Sequence, residues 1–249
     1  MQFYINIPYT FPGGVTRTFD LIVPDGNASE IPLLVWIHGG GWCGGEKRIF
    51  NDFERFVFHG CAVLSIDYRL SQDAPFPAQL EDCKTAIRWA RANAEKYGYS
   101  AERVIIGGSS AGGHLAALVG LTNGQQVFDV GPYMEYSSCV QAVVDLFGPA
   151  DLRDLPTLQK EIDTLVCKDV RLTEQASPIC WVCENAPDFL IVHGQKDTLV
   201  PVVQSRRLKE ALCNAGNCVD YLEIPDGLHG FDSIDFYNAL TSFIISHIS

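Results

Sequence analysis

Residues 104–113 read Val-Ile-Ile-Gly-Gly-Ser-Ser-Ala-Gly-Gly, and the helical stretch His114 to Val119 follows at once. The apolar run reads as a buried strand that breaks into small residues and then opens a helix. Within the break, Gly108-Ser109-Ser110-Ala111-Gly112 fits the G-x-S-x-G pattern of a nucleophile elbow. A serine hydroxyl is a weak nucleophile until a base takes its proton, so it must project clear of the backbone where an imidazole reaches it. A sharp strand-to-helix turn achieves this, with the serine at strained angles and neighbours small enough for strand and helix to approach closely. Gly108, Ala111 and Gly112 meet that need. Alone, the five residues also fit an ordinary glycine-rich turn or a phosphate loop. No Gly-Lys-Ser/Thr follows for a P-loop, however, and no G-x-G-x-x-G opens the turn for a dinucleotide.

Outward from the elbow, the chain alternates. Residues 3–7 and 18–23 read as two short strands around Pro12-Gly13-Gly14, a starting hairpin. Leu33 to Ile37 is a strand buried on both faces, Lys47 to His59 carries Ile49, Phe50, Phe53, Phe56 and Val57 at helical spacing, and Cys61 to Ile66 is again a strand. Pro75 to Tyr97 is the longest helical pattern, with Leu80, Cys83, Ile87, Ala90, Ala94 and Tyr97 on one stripe and Gly98 as its stop. Strands at 140–147, 188–193 and 219–224 and helices at 202–215 and 233–247 complete the series. Such alternation predicts an α/β fold, a mostly parallel sheet with helices on both faces, in a single domain over 1–249. Residues 149–187 interrupt the rhythm with only a weak helical patch near 158–166, so they are expected to form a cap or substrate-facing excursion.

Composition narrows the function. The net charge of −12 repels nucleic acid and anionic membrane, so neither is an expected partner. No apolar run is long enough to span a bilayer, and no basic segment with a long apolar stretch opens the chain. Nine cysteines, several in apolar runs, suit reduced and buried thiols in a cytoplasmic protein, although a mature secreted form reads the same way. The lone Cys180-x-x-Cys183 lacks the second pair that a zinc site needs, so no metal is expected.

His38-Gly39-Gly40-Gly41-Trp42 lies directly after the strand 33–37. Acyl transfer puts negative charge on the former carbonyl oxygen, and three glycines let backbone N–H groups turn towards it without steric obstruction. Gly40 and Gly41, with Ala111 after the nucleophile, are the expected oxyanion donors. Of the six histidines, His38 belongs to the glycine loop, His59 and His247 end helices, His114 is too local to Ser110, and His193 ends a strand. His229, in the loop after the last strand, remains as the base. The acid belongs after a strand between serine and histidine, which favours Asp197 over its rivals Asp145, Asp151 and Asp226. Trp42 and Phe231 adjoin these elements and are expected to border the acyl pocket, with the Phe76 and Trp181 segments approaching it.

Together, the His38–Trp42 loop, Asp67-Tyr-Arg-Leu70, Pro75-Phe-Pro-Ala78, the elbow with Gly113-His114, and the Asp197 and His229 loops resemble the hormone-sensitive-lipase-like α/β hydrolases. Within them the chain is most similar to the bifunctional feruloyl and acetyl-xylan esterase group. The resemblance, from about residue 18 onward, implies an eight-stranded sheet with its second strand antiparallel, a cofactor-free ester hydrolase, and the triad Ser110, Asp197 and His229. Larger members carry a long helical cap before the glycine loop. Here His38 leaves room only for the starting strands, so a more open acyl site is expected. The expected activity is therefore that of a serine carboxylesterase on short-chain acyl esters, small or polysaccharide-borne, with acetyl or feruloyl groups on plant-wall sugars as the finer reading. A small amidase of the arylformamidase type and a catalytically silent binding protein are the alternatives.

Overall fold

The computed structural model describes residues 1–10, 14, 16–28, 30–48 and 56–248. The apolar runs become strands β1 (Gln2–Thr10), β2 (Thr16–Val23), β3 (Leu33–Ile37), β4 (Ala62–Ile66), β5 (Val104–Ser109), β6 (Ala142–Leu146), β7 (Asp188–Gly194) and β8 (Val219–Ile224). They form one eight-stranded sheet in the order β1-β2-β4-β3-β5-β6-β7-β8. β2 runs antiparallel to both its neighbours, and every other pair is parallel. This is the α/β-hydrolase sheet that the resemblance implied. The Pro12-Gly13 part of the expected hairpin turn lies outside the described residues. So does most of the helix read over 47–59, of which 56–58 are helical.

Strand periodicity explains the two cores. Side chains alternate across a strand, so Leu33, Val35 and Ile37 of β3 join one apolar cluster while Leu34 and Trp36 join the other. The first cluster lies under α1 (Ala78–Tyr97) and α2 (Ala111–Leu121), and the second under α6 (Ile234–Ile248). Helix α5 (Val203–Asn214) packs beside β7 and β8 through Leu208 and Leu212. The stripe read on α1 is buried throughout, and Gly98 ends the helix at φ 83 with its N–H on Ala94 O.

One feature of α1 had no apolar signal. Lys84, Arg88 and Arg91 occupy i, i+4 and i+7, and the first two are almost inaccessible. A buried cation is costly unless it is fully hydrogen-bonded. Lys84 donates to Thr122 O at 2.9 Å, Arg88 to Asp129 Oδ1 and Val130 O at 2.6 Å each, and Arg91 to Ser137 O and Cys139 O at 2.7 Å each. The three side chains therefore hold the connection between α2 and β6 in place.

The excursion at 149–187 is not structureless. Short helices fill it, including α3 (Gln159–Leu165) and α4 (Val170–Gln175), and Leu152, Leu155, Leu158, Ile162 and Leu165 bury themselves in the main core. Its signal was weak because each helix is too short to show a period. The cysteines also depart from expectation: Cys61 and Cys83 are buried, but Cys43, Cys167, Cys180, Cys183, Cys213 and Cys218 are exposed. Among the described residues no helix is long and apolar enough to cross a membrane.

Gly112 tests the tightest junction. Replacing a helical glycine with alanine ordinarily stabilises by about 1 kcal/mol, yet a Cβ here would stand 2.2 Å from Ile37 O. Gly112→Ala is expected to destabilise by roughly 1–3 kcal/mol through overpacking. Urea unfolding checks this, and an unchanged or raised midpoint would contradict it.

Candidate active site

β5 ends at Ser109, and Ser110 adopts φ 56 and ψ −122 before α2 begins. Positive φ is uncommon for a residue with a side chain and marks local strain. The strain is held from both sides. Ser110 N–H donates to Leu146 O at 2.8 Å, and His114 N–H to Ser110 O at 3.0 Å. A Cβ on Gly108 would lie 2.5 Å from Gly112 C, so the bend needs glycine at both positions.

The elbow presents Ser110 to the loop after β8. His229 Nε2 lies 2.8 Å from Ser110 Oγ, and His229 Nδ1 lies 2.7 Å from Asp197 Oδ2. A carboxylate only accepts, so the proton sits on Nδ1 and Nε2 is left to accept from the serine. Asp197 Oδ1 in turn accepts the N–H groups of Leu199 and Val200, each at 2.9 Å. Burial pushes this carboxyl up, but hydrogen bonds from His193, His229 and the Val200 N–H outweigh burial and hold it well below the usual range. Asp197 is therefore ionised at every pH where the fold is of interest.

The rival acids are placed elsewhere. Asp151 caps a turn of 3₁₀ helix and pairs with Arg153 at 2.7 Å, and Asp226 pairs with Lys196 on the surface at 2.6 Å. Asp145 is buried at the end of β6, where Oδ1 accepts the Gly148 N–H at 2.8 Å and Oδ2 has no partner. Burial pushes it up to about 6. Among the histidines, His38 stacks on Tyr68 with ring centroids 4.4 Å apart, and His247 pairs with Asp188 at 3.0 Å. His114 is buried with Nε2 2.6 Å from Ala176 O, and burial lowers it to about 4, so it stays neutral.

The glycine loop passes close to the nucleophile, since a Cβ on Gly39 would lie 3.3 Å from Ser110 Cβ. Gly40 and Gly41 take φ 120 and φ 58. Among the described residues, the N–H groups of Gly40, Gly41 and Ala111 donate to no protein acceptor. An oxyanion calls for backbone donors of this unengaged kind.

Two aromatic expectations divide. Phe231 stands 5.3 Å from the Phe147 ring, which stands 4.9 Å from the His229 ring. With Trp36, Ser109 and Leu240, these rings line an apolar cavity of about 230 Å³ beside the elbow. Trp42 does not border a pocket. It takes φ 59, which turns the indole inward, and the ring is wholly buried with Nε1 donating to His114 Nδ1 at 3.1 Å. Phe76 is likewise core, joined through Phe128 to Trp181. Sequence reasoning missed Phe147, whose φ of 47 aims it at His229, and the contact of His193 with Asp197. The second had a signal, because both residues lie in one strand-end stretch, His193-Gly-Gln-Lys-Asp197.

A family model described as BD-FAE matches residues 19–212. Esterase LipC of Mycobacterium tuberculosis is 36% identical over 217 residues, covering 82% of this chain and 54% of that protein. The chain spans about half the length of the curated relatives it matches. Among solved structures, a truncated form of a carbohydrate esterase from gut microbiota superposes with a TM-score of 0.91 at 30% identity, covering all of this chain and 96% of that one. The bifunctional GH43-CE of Bacteroides eggerthii gives 0.89 at 29% identity, over 99% of this chain and 35% of that one.

Asp145 makes a stability prediction. Its folded pKa of about 6 exceeds the ordinary carboxyl value of 3.8, so the folded state holds the proton more tightly than the unfolded state. Stability from this group is full below the lower value and is lost as pH rises through the window to the upper one. Asp145→Asn removes that loss. Its unfolding free energy relative to the parent is expected to rise between pH 4 and pH 8 by on the order of 2–3 kcal/mol. Chemical denaturation at the two pH values checks this, and a difference independent of pH would contradict it.

Proposed function

The chain belongs to the BD-FAE family, and from that premise we propose that it is a serine carboxylesterase. The observation that carries the reading is the unbroken hydrogen-bonded series Ser110–His229–Asp197. In the first half-reaction Ser110 Oγ attacks the ester carbonyl carbon while its proton passes to His229 Nε2. The carbonyl oxygen becomes an oxyanion and accepts from the Gly40, Gly41 and Ala111 N–H groups. His229 then donates the same proton to the departing alkoxide, and Asp197 stays ionised and stabilises the imidazolium. Water repeats the sequence on the acyl-enzyme and releases the acid. No step requires a cofactor.

The finer reading is an ester of a bulky polar alcohol, with acetyl or feruloyl groups on plant-wall sugars as the substrate class. Two recesses of opposite character support it. A polar one of about 480 Å³ is lined by His38, Gly39, Glu46 and Arg48, next to the oxyanion loop. The apolar one, about 230 Å³, lies on the Ser109 and Phe231 side. An apolar cavity of about 150 Å³ holds benzene, so the larger one has room for a substituted ring. A polymer-bound ester has only one free apolar end, its acyl group, so the apolar recess takes the acyl side and the polar recess the sugar. The names of the gut carbohydrate esterase and of the GH43-CE fit the same substrate class.

Ser110→Ala or His229→Ala is expected to lower kcat by about a million-fold, with Asp197→Asn less severe. A Ser110→Ala protein that keeps a tenth of the activity would sink the assignment. Activity is expected to rise with pH through the range where an imidazole loses its proton, because only the neutral ring accepts from serine. Nitrophenyl esters from acetyl to octanoyl, with acetylated xylan and methyl ferulate beside them, test the recesses. Acetylated xylan and methyl ferulate are both expected to be turned over, and Leu240→Trp, which fills the apolar recess, to lower the ferulate-to-acetyl ratio by about tenfold. Turnover of neither acetylated xylan nor methyl ferulate beside active nitrophenyl ester hydrolysis would overturn the substrate reading.

A further inference from the structure

Asp197 is contacted by two histidines, and the mechanism uses only one of them. His193, at the end of β7, is wholly buried. Its Nε2 lies 2.7 Å from Val200 O and 3.2 Å from Asp197 Oδ2, and its Nδ1 lies 2.7 Å from Ser205 Oγ. Neither a carbonyl nor a carboxylate donates, so Nε2 carries a proton, which it donates to Val200 O with the Asp197 carboxylate beside it. Nδ1 pairs with the Ser205 hydroxyl. The ring is thus held by three partners on two elements, the 197–200 loop and α5.

Oδ2 of Asp197 accepts the His229 N–H at 2.7 Å and lies 3.2 Å from His193 Nε2, whose N–H is directed chiefly at Val200 O. Both the orientation of the carboxylate and the charge it offers to His229 depend on the second donor. We propose that His193 is a positioning residue for the Ser110–His229–Asp197 relay, fixing the Asp197 carboxylate and tempering its basicity so that it sets the protonation midpoint of His229. The inference rests on the serine-hydrolase reading. Without the His193 N–H, Asp197 Oδ2 carries more uncompensated charge, the imidazolium form of His229 is stabilised, and the pH at half-maximal activity moves up. Other groups that face this cluster are Asp145 on β6, which interacts electrostatically with His193, the Ser110 hydroxyl, and the uncharged Phe147 ring, 6.4 Å from His193 and 4.9 Å from His229.

The test compares two polar replacements with acetyl nitrophenyl ester as substrate. His193→Gln places an amide N–H near the former Nε2, whereas His193→Asn reaches only the former Nδ1 position and leaves Asp197 without the donor. His193→Asn is expected to raise the midpoint of the kcat/KM profile by about half a pH unit to one unit and to lower kcat about tenfold with little change in KM. His193→Gln is expected to restore most of both. Repeating the pair in an Asp145→Asn background removes the other buried carboxyl that titrates in this range. Nitrogen NMR of the parent protein provides a measurement independent of any variant's folding, and should find His193 Nε2 protonated. The proposal is overturned by His193→Asn and His193→Gln profiles with the parent midpoint, or by a His193 Nε2 that carries no proton. Absence of ester turnover in the parent would instead defeat the serine-hydrolase reading itself.

Discussion

A methyl group on Gly112 would stand 2.2 Å from Ile37 O and 2.7 Å from His38 O, so α2 meets the end of β3 backbone against backbone. The rest of the site is hung on that contact. β3 delivers the glycine loop and β5 delivers Ser110, and the two strands are hydrogen-bonded neighbours from Leu33–Val104 to Ile37–Gly108. Where they end, the chain must diverge within a few ångströms into a loop and a helix, and glycine alone leaves the space. The same closeness that lets Gly39 graze Ser110 forces the serine into its strained φ of 56. Strain of this kind persists only when its surroundings over-determine it, and here the Leu146 carbonyl, the Ile37 carbonyl and the Gly108 backbone all do so.

Two carboxylates near the ends of adjacent parallel strands show how wiring decides a role. Asp145 and Asp197 are both buried, at 1% and 6% exposed. Asp197 receives three N–H donors, from Leu199, Val200 and His229, with His193 Nε2 3.2 Å away. Asp145 receives one and leaves an oxygen bare. Two inaccessible carboxyls therefore have opposite outcomes, the first held ionised and the second pushed towards the neutral acid. The loop after β7 is what separates them, because its tight turn offers successive N–H groups while the Asp145 turn offers a single one.

This wiring marks the limit of what the sequence made legible. Strand runs, helix stripes and the order Ser110, Asp197, His229 could be read because each depends on local composition or on topology, and the sheet brought the three side chains into hydrogen-bond range. Trp42 could not be placed by its position after three glycines. Its direction depends on two successive positive-φ residues, Gly41 and Trp42, and on a buried acceptor, His114, 72 positions away. The burial of the basic stripe of α1 has the same origin, since its partners include carbonyls of a loop far along the chain. Burial of polar groups is decided by distant acceptors, which periodicity does not report.

The excursion at 149–187 acquires its role from such long-range bonds. Ala176 O receives His114 Nε2–H, and His114 in turn accepts from Trp42, so the excursion, the elbow helix and the glycine loop form one chain of contacts. On its other flank, Gln204 Oε1 of α5 accepts the N–H groups of Ala150 and Asp151, and Thr157 Oγ1 donates to Leu199 O beside Asp197. Phe76 N–H also closes on Leu165 O at 2.8 Å. A segment that opened over the substrate would have to break bonds to the oxyanion side and the acid side together, each an exchange of buried partners worth about 1 kcal/mol or more. Its buried core residues, Leu152, Leu155, Leu158, Ile162 and Leu165 among them, oppose that further. The excursion therefore ties the glycine-loop side of the molecule to the Asp197 side through bonds that run across the elbow helix.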